Sequence, residues 1–171
     1  MSTKKRNIEN LIRDYLLDEG ILREKISDSK LDFGLIFSFP PGPNSEQMSV
    51  FSPKKKSFII IAIRTQLSKK HAQALDSLKD NKKLQFFNDL KKYFLIKEVY
   101  FVLDARNNRY EIHEQLFPDN DDYISKNSFF KGILKVFYCY FFSNVLLGEY
   151  CSGKEITPAK FSPEFDRSLY S

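Results

Sequence analysis

The segment from residue 125 to 150, SKNSFFKGILKVFYCYFFSNVLLGEY, constrains the fold more than any other part of the chain, because it has no proline and no long polar break. At 100° per residue its large apolar side chains cover a helical arc of roughly 200°, wider than one buried stripe needs. Phe142 and Leu146 fall outside that arc, on the side that carries Lys131 and Lys135. The pattern predicts a long helix that buries one face in its own domain and part of another against something else.

Composition indicates a folded protein with a substantial core. Hydrophobic residues make up 42% and aromatic residues 15% of the 171 positions, which is too apolar for a disordered chain. A chain of this length fits one domain, since about 150 residues bury roughly two-thirds of the unfolded surface. We expect one domain over residues 1–151 and a C-terminal extension at 152–171. Four large apolar residues in that extension favour a docked segment over a mobile arm.

The two cysteines, Cys139 and Cys151, are predicted to be free. On one helix they would lie about 18 Å apart at 1.5 Å per residue, beyond disulfide reach. The first ten residues lack the apolar core of a signal peptide, and the longest apolar run, residues 136–142, is far shorter than the ~20 residues of a membrane span. These features favour a soluble, cytoplasmic protein without membrane contact.

Hydrophobic periodicity predicts the order of the elements. Apolar residues at helical spacing between Ile8 and Leu16 mark a first helix, and Gly20 suits its C-terminal cap. Ser68 and Asn81 are placed to cap two central helices. Period-two or continuous apolar runs predict strands at residues 21–27, 31–39, 48–52, 58–63, 99–103 and 109–113. This order predicts an α+β domain: a twisted antiparallel sheet with an N-terminal helix, a central helical pair and a long C-terminal helix.

The net charge of +5 comes mostly from lysine clusters. Lys54, Lys55 and Lys56 form one triplet, and Lys69 and Lys70 form a pair. A nucleic-acid face would use such charges to neutralise phosphates. The alternative, which we favour, is a solvated lysine surface, because the clusters belong to different elements and base-reading arginine is scarce.

Catalytic and metal-binding motifs are not evident in the sequence. Neither His71 nor His113 has a second His or a Cys at metal-ligand spacing, and cross-strand pairing explains Glu111 and His113 without catalysis. Cys139 lies in an apolar run that leaves a thiol inert. Glycine is too sparse for a phosphate-cradling loop, and the acidic run at 119–122 lacks the pattern of a calcium loop. We expect no enzymatic activity, cofactor or metal.

Several short motifs between residues 33 and 147 resemble an uncharacterised family of small archaeal proteins. They are Phe39-Pro40-Pro41-Gly42 at a strand end, the strand pair around Val50 and residues 58–63, Leu67-Ser68-Lys69-Lys70-His71 at a helix start, and Ile124-Ser125-Lys126-Asn127 before the last helix. That family is similar in fold to class I type III secretion chaperones, which usually dimerise. The resemblance implies a chaperone-like α+β fold and carries over no catalytic or ligand residue.

The sequence therefore favours a non-enzymatic protein-interaction or chaperone-like module, with a protein or peptide as partner, that self-associates as a homodimer. A two-fold dimer is the commonest way to cover the surplus apolar surface of the last helix. The expected contact residues are Phe137, Tyr138, Phe141 and Phe142. The rival for that role is coverage within one chain, by the first helix and the C-terminal extension. A small basic nucleic-acid-binding protein is the alternative function.

Overall fold

The computed structural model describes residues 3–79, 81–119 and 123–152, with side chains from residue 8 onward. The described residues form four helices and six strands. The helices are α1 Thr3–Asp18, α2 Lys69–Asp76, α3 Lys82–Ile96 and α4 Lys126–Cys151. The strands are β1 Leu22–Lys25, β2 Leu31–Phe39, β3 Glu46–Pro53, β4 Ile59–Gln66, β5 Tyr100–Asp104 and β6 Arg109–Leu116. The predicted extension after residue 152 lies outside the described residues.

The six strands form one sheet in the order β1-β2-β3-β4-β6-β5, and every neighbouring pair is antiparallel. The predicted α+β class with an antiparallel sheet is therefore confirmed. The apolar strand β4 lies inside the sheet, where Ile61 is opposite Val50 on β3 and Glu114 on β6. Its β-branched residues fit this half-buried position between two neighbours.

One hydrophobic core lies between the sheet and the helices. Alternate residues of the strands, such as Phe37, Val50, Ile61 and Ile112, point into it and are fully or almost fully buried. The long helix α4 packs on β4 and β6, α1 packs on β1 and β2, and α3 packs on β5 and α4. Gly132 permits the close approach of α4, since a Cβ at this position would lie 2.9 Å from the Ile61 Cδ1 atom.

The rotation of α4 differs from the sequence prediction. Phe142 and Leu146, expected on the lysine-bearing side, are covered by the domain: Phe142 stacks on Tyr93 of α3 with 3.7 Å between ring centroids, and Leu146 is buried. Val145, which lies within the predicted apolar arc, is exposed. The physical reason is that α3 packs against a second flank of α4, so the helix buries two flanks and exposes the strip between them.

Of the two predicted N-caps, Ser68 is confirmed: its side chain accepts a hydrogen bond from the backbone N–H of His71 at 3.2 Å. Ser125, for which the sequence analysis predicts no cap, accepts from the backbone N–H of Ser128 at 3.0 Å. Asn81 occupies the N-cap position of α3, but its backbone is left-handed and its side chain makes no cap bond. Gly20, with φ of +66°, follows α1 as expected.

By length and composition α4 could cross a membrane, and it is the one such helix in the described residues. A core helix of a soluble protein meets the same criterion. Ile133 and Val136 of α4 are fully buried within the domain.

Candidate interaction surfaces

The outward face of α4 carries a strip of large apolar side chains, which we call the α4 seam: Leu134, Tyr138, Phe141 and Val145. Leu134 is half-buried, whereas Tyr138, Phe141 and Val145 are 60%, 58% and 47% exposed. Their alternating spacing of four, three and four residues is that of the contact positions in a coiled coil. This spacing places all four along one line of the helix surface, so the seam has the pattern of a surface that packs against another helix.

Smaller and charged residues flank the α4 seam. Gly148, three residues beyond Val145, continues the same spacing, and the space beside its Cα is open. Lys131, three residues before Leu134, continues it in the other direction and is exposed. Glu149 is also exposed at the C-terminal end. The seam therefore has a cation at one end and an anion at the other.

The structure separates the four predicted contact residues into two groups. Tyr138 and Phe141 lie on the α4 seam, whereas Phe137 and Phe142 are half-buried against the same chain. Phe137 makes an edge contact with Phe39 of β2 at 5.2 Å between ring centroids. Phe137 and Phe142 therefore pack mainly on their own domain. Each is next in sequence to a seam residue, and since adjacent residues of a helix point about 100° apart, neither lies on the seam.

Polar contacts fix the orientation of α4 and therefore of its seam. The Lys135 Nζ atom donates to the Glu114 carboxylate and to the Glu98 carbonyl, each at 3.0 Å. Ser143 donates to the Tyr140 carbonyl at 2.6 Å and accepts from the Tyr110 hydroxyl. Local sequence patterns do not predict these contacts, although Ser143 is a polar residue inside an apolar run.

The candidate basic residues do not form one cluster. Lys54, Lys55 and Lys56 are exposed in the turn before β4, and Lys69 and Lys70 are exposed in the first turn of α2, after β4. The eight residues of β4 separate the two groups, which corresponds to about 26 Å along a strand. This separation exceeds the ~10 Å screening length at 0.1 M salt.

The fold sets the surroundings of the titratable residues singled out in the sequence, Cys139, His113 and Glu111. In the described part of the chain, no group of three His, Cys, Asp or Glu side chains is placed to hold a metal ion. Burial raises the pKa of the Cys139 thiol to about 11, so the thiol is protonated at neutral pH. His113 stacks on Tyr100 at 5.4 Å between ring centroids, and Glu111 pairs with Arg64 at 2.6 Å. Both are contacts between neighbouring strands, the kind of pairing by which the sequence analysis explains Glu111 and His113.

A second apolar surface lies around β5. Tyr100 and Val102 are exposed on the sheet face away from the helices, and Leu95 and Ile96 are exposed at the C-terminal end of α3; the four are between 52% and 63% exposed. We call these four residues the β5 patch. Strand β5 lies at the end of the sheet, so within the described residues only β6 pairs with it.

A shallow cavity of about 500 Å³ adjoins Val102 on this side of the sheet. Arg64, Asp104, Arg109 and Glu111 are among the residues that line it. The Arg109–Asp104 pair measures 3.0 Å and the Arg64–Glu111 pair 2.6 Å, so each of these charges is neutralised by its neighbour. The cavity is therefore bordered by ion pairs rather than by an unpaired charge.

The opposite end of the sheet is protected. Strand β1 contains Arg23, Glu24 and Lys25, and its pairing with β2 is irregular between Leu22 and Glu24. The Lys25 side chain pairs with Glu9 of α1. Short length, charge and irregular pairing are the usual means by which edge strands avoid unwanted pairing. Strand β5, with the sequence YFVLD, has no charge before its last residue.

These features define an α+β protein with one antiparallel sheet, a helical layer and two exposed apolar surfaces. The chain belongs to the family of uncharacterized conserved proteins DUF2299, whose family model matches residues 8–147.

A similar solved structure is the crystal structure of an uncharacterized protein from Methanothermobacter thermautotrophicus. It is 23% identical, the match covers 83% of this chain and 97% of that one, and the TM-score is 0.74. This likeness supports the fold. No significant match was found among curated proteins. Neither match concerns a secretion chaperone, so the chaperone-like character stays a prediction.

Proposed function

We propose that this protein is a non-enzymatic protein-interaction module that self-associates through the α4 seam. The observation that carries the proposal is the exposure of Tyr138, Phe141 and Val145 in coiled-coil spacing on a helix whose other flanks are buried. A monomeric soluble protein rarely leaves such a contiguous apolar strip in water.

The α4 seam is complementary to a second copy of itself in antiparallel orientation. A two-fold axis between Tyr138 and Phe141 places each of these residues opposite the other, as the contact layers of an antiparallel pair require. In the same register Leu134 faces Val145, and Lys131 faces the open space at Gly148. Large residues thus meet smaller ones at both ends of the seam.

Charge favours the same orientation. Antiparallel pairing brings Lys131 of each copy next to Glu149 of the other, on both sides of the two-fold axis. Parallel pairing would instead bring Lys131 against Lys131 and Glu149 against Glu149, which is unfavourable for like charges. The partner is therefore a second, antiparallel copy of α4.

Sedimentation equilibrium tests this interface. We expect the wild-type protein to be a dimer at tens of micromolar and Phe141→Glu to be a monomer with an unchanged circular dichroism spectrum. The matched control is Leu84→Glu, at a similarly exposed apolar residue of α3, which is expected to remain dimeric. A wild-type monomer at this concentration would refute the self-association.

A charge exchange tests the register. Lys131→Glu is expected to weaken the dimer, because it places two acidic residues together at each end. The double variant Lys131→Glu/Glu149→Lys is expected to restore it. Equal weakening in the single and double variants would refute the antiparallel arrangement.

The nucleic-acid alternative receives less support. A continuous basic face would have to include both Lys54–Lys56 and Lys69–Lys70, which lie at opposite ends of β4. We therefore expect only weak, sequence-independent binding to DNA or RNA at physiological salt, with a dissociation constant of about 10⁻⁴ to 10⁻⁶ M.

A further inference from the structure

We propose that the outer edge of β5, which within the described residues pairs with no strand, binds an extended segment of a partner protein that adds to the sheet as a seventh strand. The basis is the contrast between the two ends of the sheet. Strand β1 is charged, irregular and tied to α1, whereas β5 is regular and apolar up to Asp104. An apolar edge strand without protection is a template for pairing with another chain.

The backbone groups on the outer edge of β5 require an extended binding segment. A strand with one neighbour presents alternate backbone N–H and C=O groups outward, and only another extended backbone can satisfy them in series. Tyr100 and Val102 lie two residues apart on the sheet face away from the helices, where they are opposite His113 and Glu111 of β6. Their side chains can therefore contact every second side chain of an added strand.

The remainder of the β5 patch extends the contact. Leu95 and Ile96 are exposed at the C-terminal end of α3, four to five residues before Tyr100. Glu98, exposed before the strand, places a carboxylate near the start of β5, whereas Asp104 at its end is paired with Arg109. The fitting partner segment therefore alternates apolar and polar residues and carries a basic residue at the end that lies near Glu98.

A second copy of this chain is the less suitable occupant. Two-fold antiparallel pairing of β5 about Val102 would place the Tyr100 ring opposite Asp104 of the other copy. If two copies already associate through α4, a second two-fold interface at β5 would link dimers into an open chain rather than a closed assembly. In this respect the inference rests on the proposed function, since the α4 dimer leaves β5 to a different chain.

The probe is a set of nonapeptides that alternate threonine with Val, Ile, Phe or Tyr and carry a lysine at each end. Amide hydrogen exchange of the full-length protein, with and without peptide, reports where each peptide binds. We expect added protection at residues 100–104 and none at residues 22–25. The matched control is the best peptide N-methylated at alternate residues, which removes the donors of one edge. Its affinity is expected to fall about tenfold or more.

Protein variants separate the two proposals. Val102→Lys adds the charge by which edge strands discourage pairing, and it should weaken peptide binding about tenfold while the dimer persists. Phe141→Glu should bind the peptide as the wild type does while it sediments as a monomer. Absence of protection at β5 with every peptide, or equal binding of the N-methylated peptide, overturns the strand-addition proposal. Protection at β5 that rises with protein concentration alone also overturns it, in favour of a second copy.

Discussion

The Lys135 ammonium on α4 lies 3.0 Å from the Glu114 carboxylate on β6, on the helix-covered face of the sheet. The same ammonium donates to the carbonyl of Glu98, a residue with φ of +53° in the turn between α3 and β5. One side chain of α4 therefore contacts both the sheet and the turn that leads into the β5 edge. The two proposed interaction surfaces are connected through this contact.

Lys135→Met is expected to lower the free energy of unfolding by about 2 kcal/mol. The apolar stem is kept, but the half-buried Glu114 carboxylate loses its charged donor. Chemical denaturation at neutral pH measures the change. Lys91→Met, at an exposed lysine of α3, is the control and should change stability by less than about 0.5 kcal/mol.

Ser143→Ala is expected to cost about 1–3 kcal/mol, although it removes a single oxygen atom. The Tyr110 hydroxyl is buried, and the Ser143 Oγ atom, which donates to the Tyr140 carbonyl, accepts its hydrogen bond. The variant therefore removes this acceptor from a buried donor. Adding Tyr110→Phe to Ser143→Ala removes the buried donor as well and should recover part of the loss. If the double variant is less stable than Ser143→Ala by the full cost of Tyr110→Phe alone, the two side chains act independently.

Phe142→Ala is expected to lower the stability of the monomer, whereas Phe141→Ala is expected to weaken the dimer. Phe142 stacks on Tyr93, and its removal should lower the free energy of unfolding by about 2 kcal/mol or more. Phe141 is mostly exposed, so its removal should leave monomer stability nearly unchanged and weaken the dimer. Thermal unfolding at low protein concentration, together with sedimentation, measures both effects.

Gly132→Leu is expected to destabilise the protein by about 1–3 kcal/mol, because the helix contacts the sheet at this residue. Gly132→Ala should be nearly neutral. Its Cβ would press on the Ile61 Cδ1 atom at 2.9 Å, the flexible end of a side chain, and the higher helix propensity of alanine offsets this crowding. Denaturation midpoints of both variants test this difference, and a severe loss with alanine would show that the sheet cannot adjust.

His113 is expected to make stability fall with decreasing pH. Burial lowers its pKa below the ordinary 6.5, with a further lowering from Arg64, while Glu111 and Glu114 act in the opposite direction. Above pH 6.5 the imidazole is neutral in both states and stability is complete. As the pH falls from 6.5 towards the folded-state pKa, the unfolded state takes up the proton first and stability is lost.

The pH-dependent term of His113 is isolated by comparing the wild type with His113→Gln. Carboxylates common to both proteins contribute equally, so the wild type should lose more stability than the variant between pH 7.5 and pH 5. Parallel stability curves for the two proteins would contradict the lowered pKa.

The sequence by itself determined the element order and the fold class. The periodicity of neighbouring residues determines whether a segment forms a strand or a helix, and nearby polar side chains determine where it begins and ends. Ser125, for example, caps α4 by accepting a hydrogen bond from the Ser128 N–H, three residues away. The free state of Cys139 and Cys151 also followed from helix geometry alone.

The tertiary structure decided which face of α4 is exposed and which sheet edge is free. Apolar residues occur on most sides of α4, so the periodicity of its sequence gives little information about which side faces the core. The packing of α3 on Phe142 leaves Phe141 and Val145 exposed to water. The order of strands likewise depends on pairing between distant segments, as in the contact of β4 with β6. Long-range contacts such as Lys135 with Glu114 have no local sequence signal, because they join segments that are far apart in the chain and meet only when the chain folds.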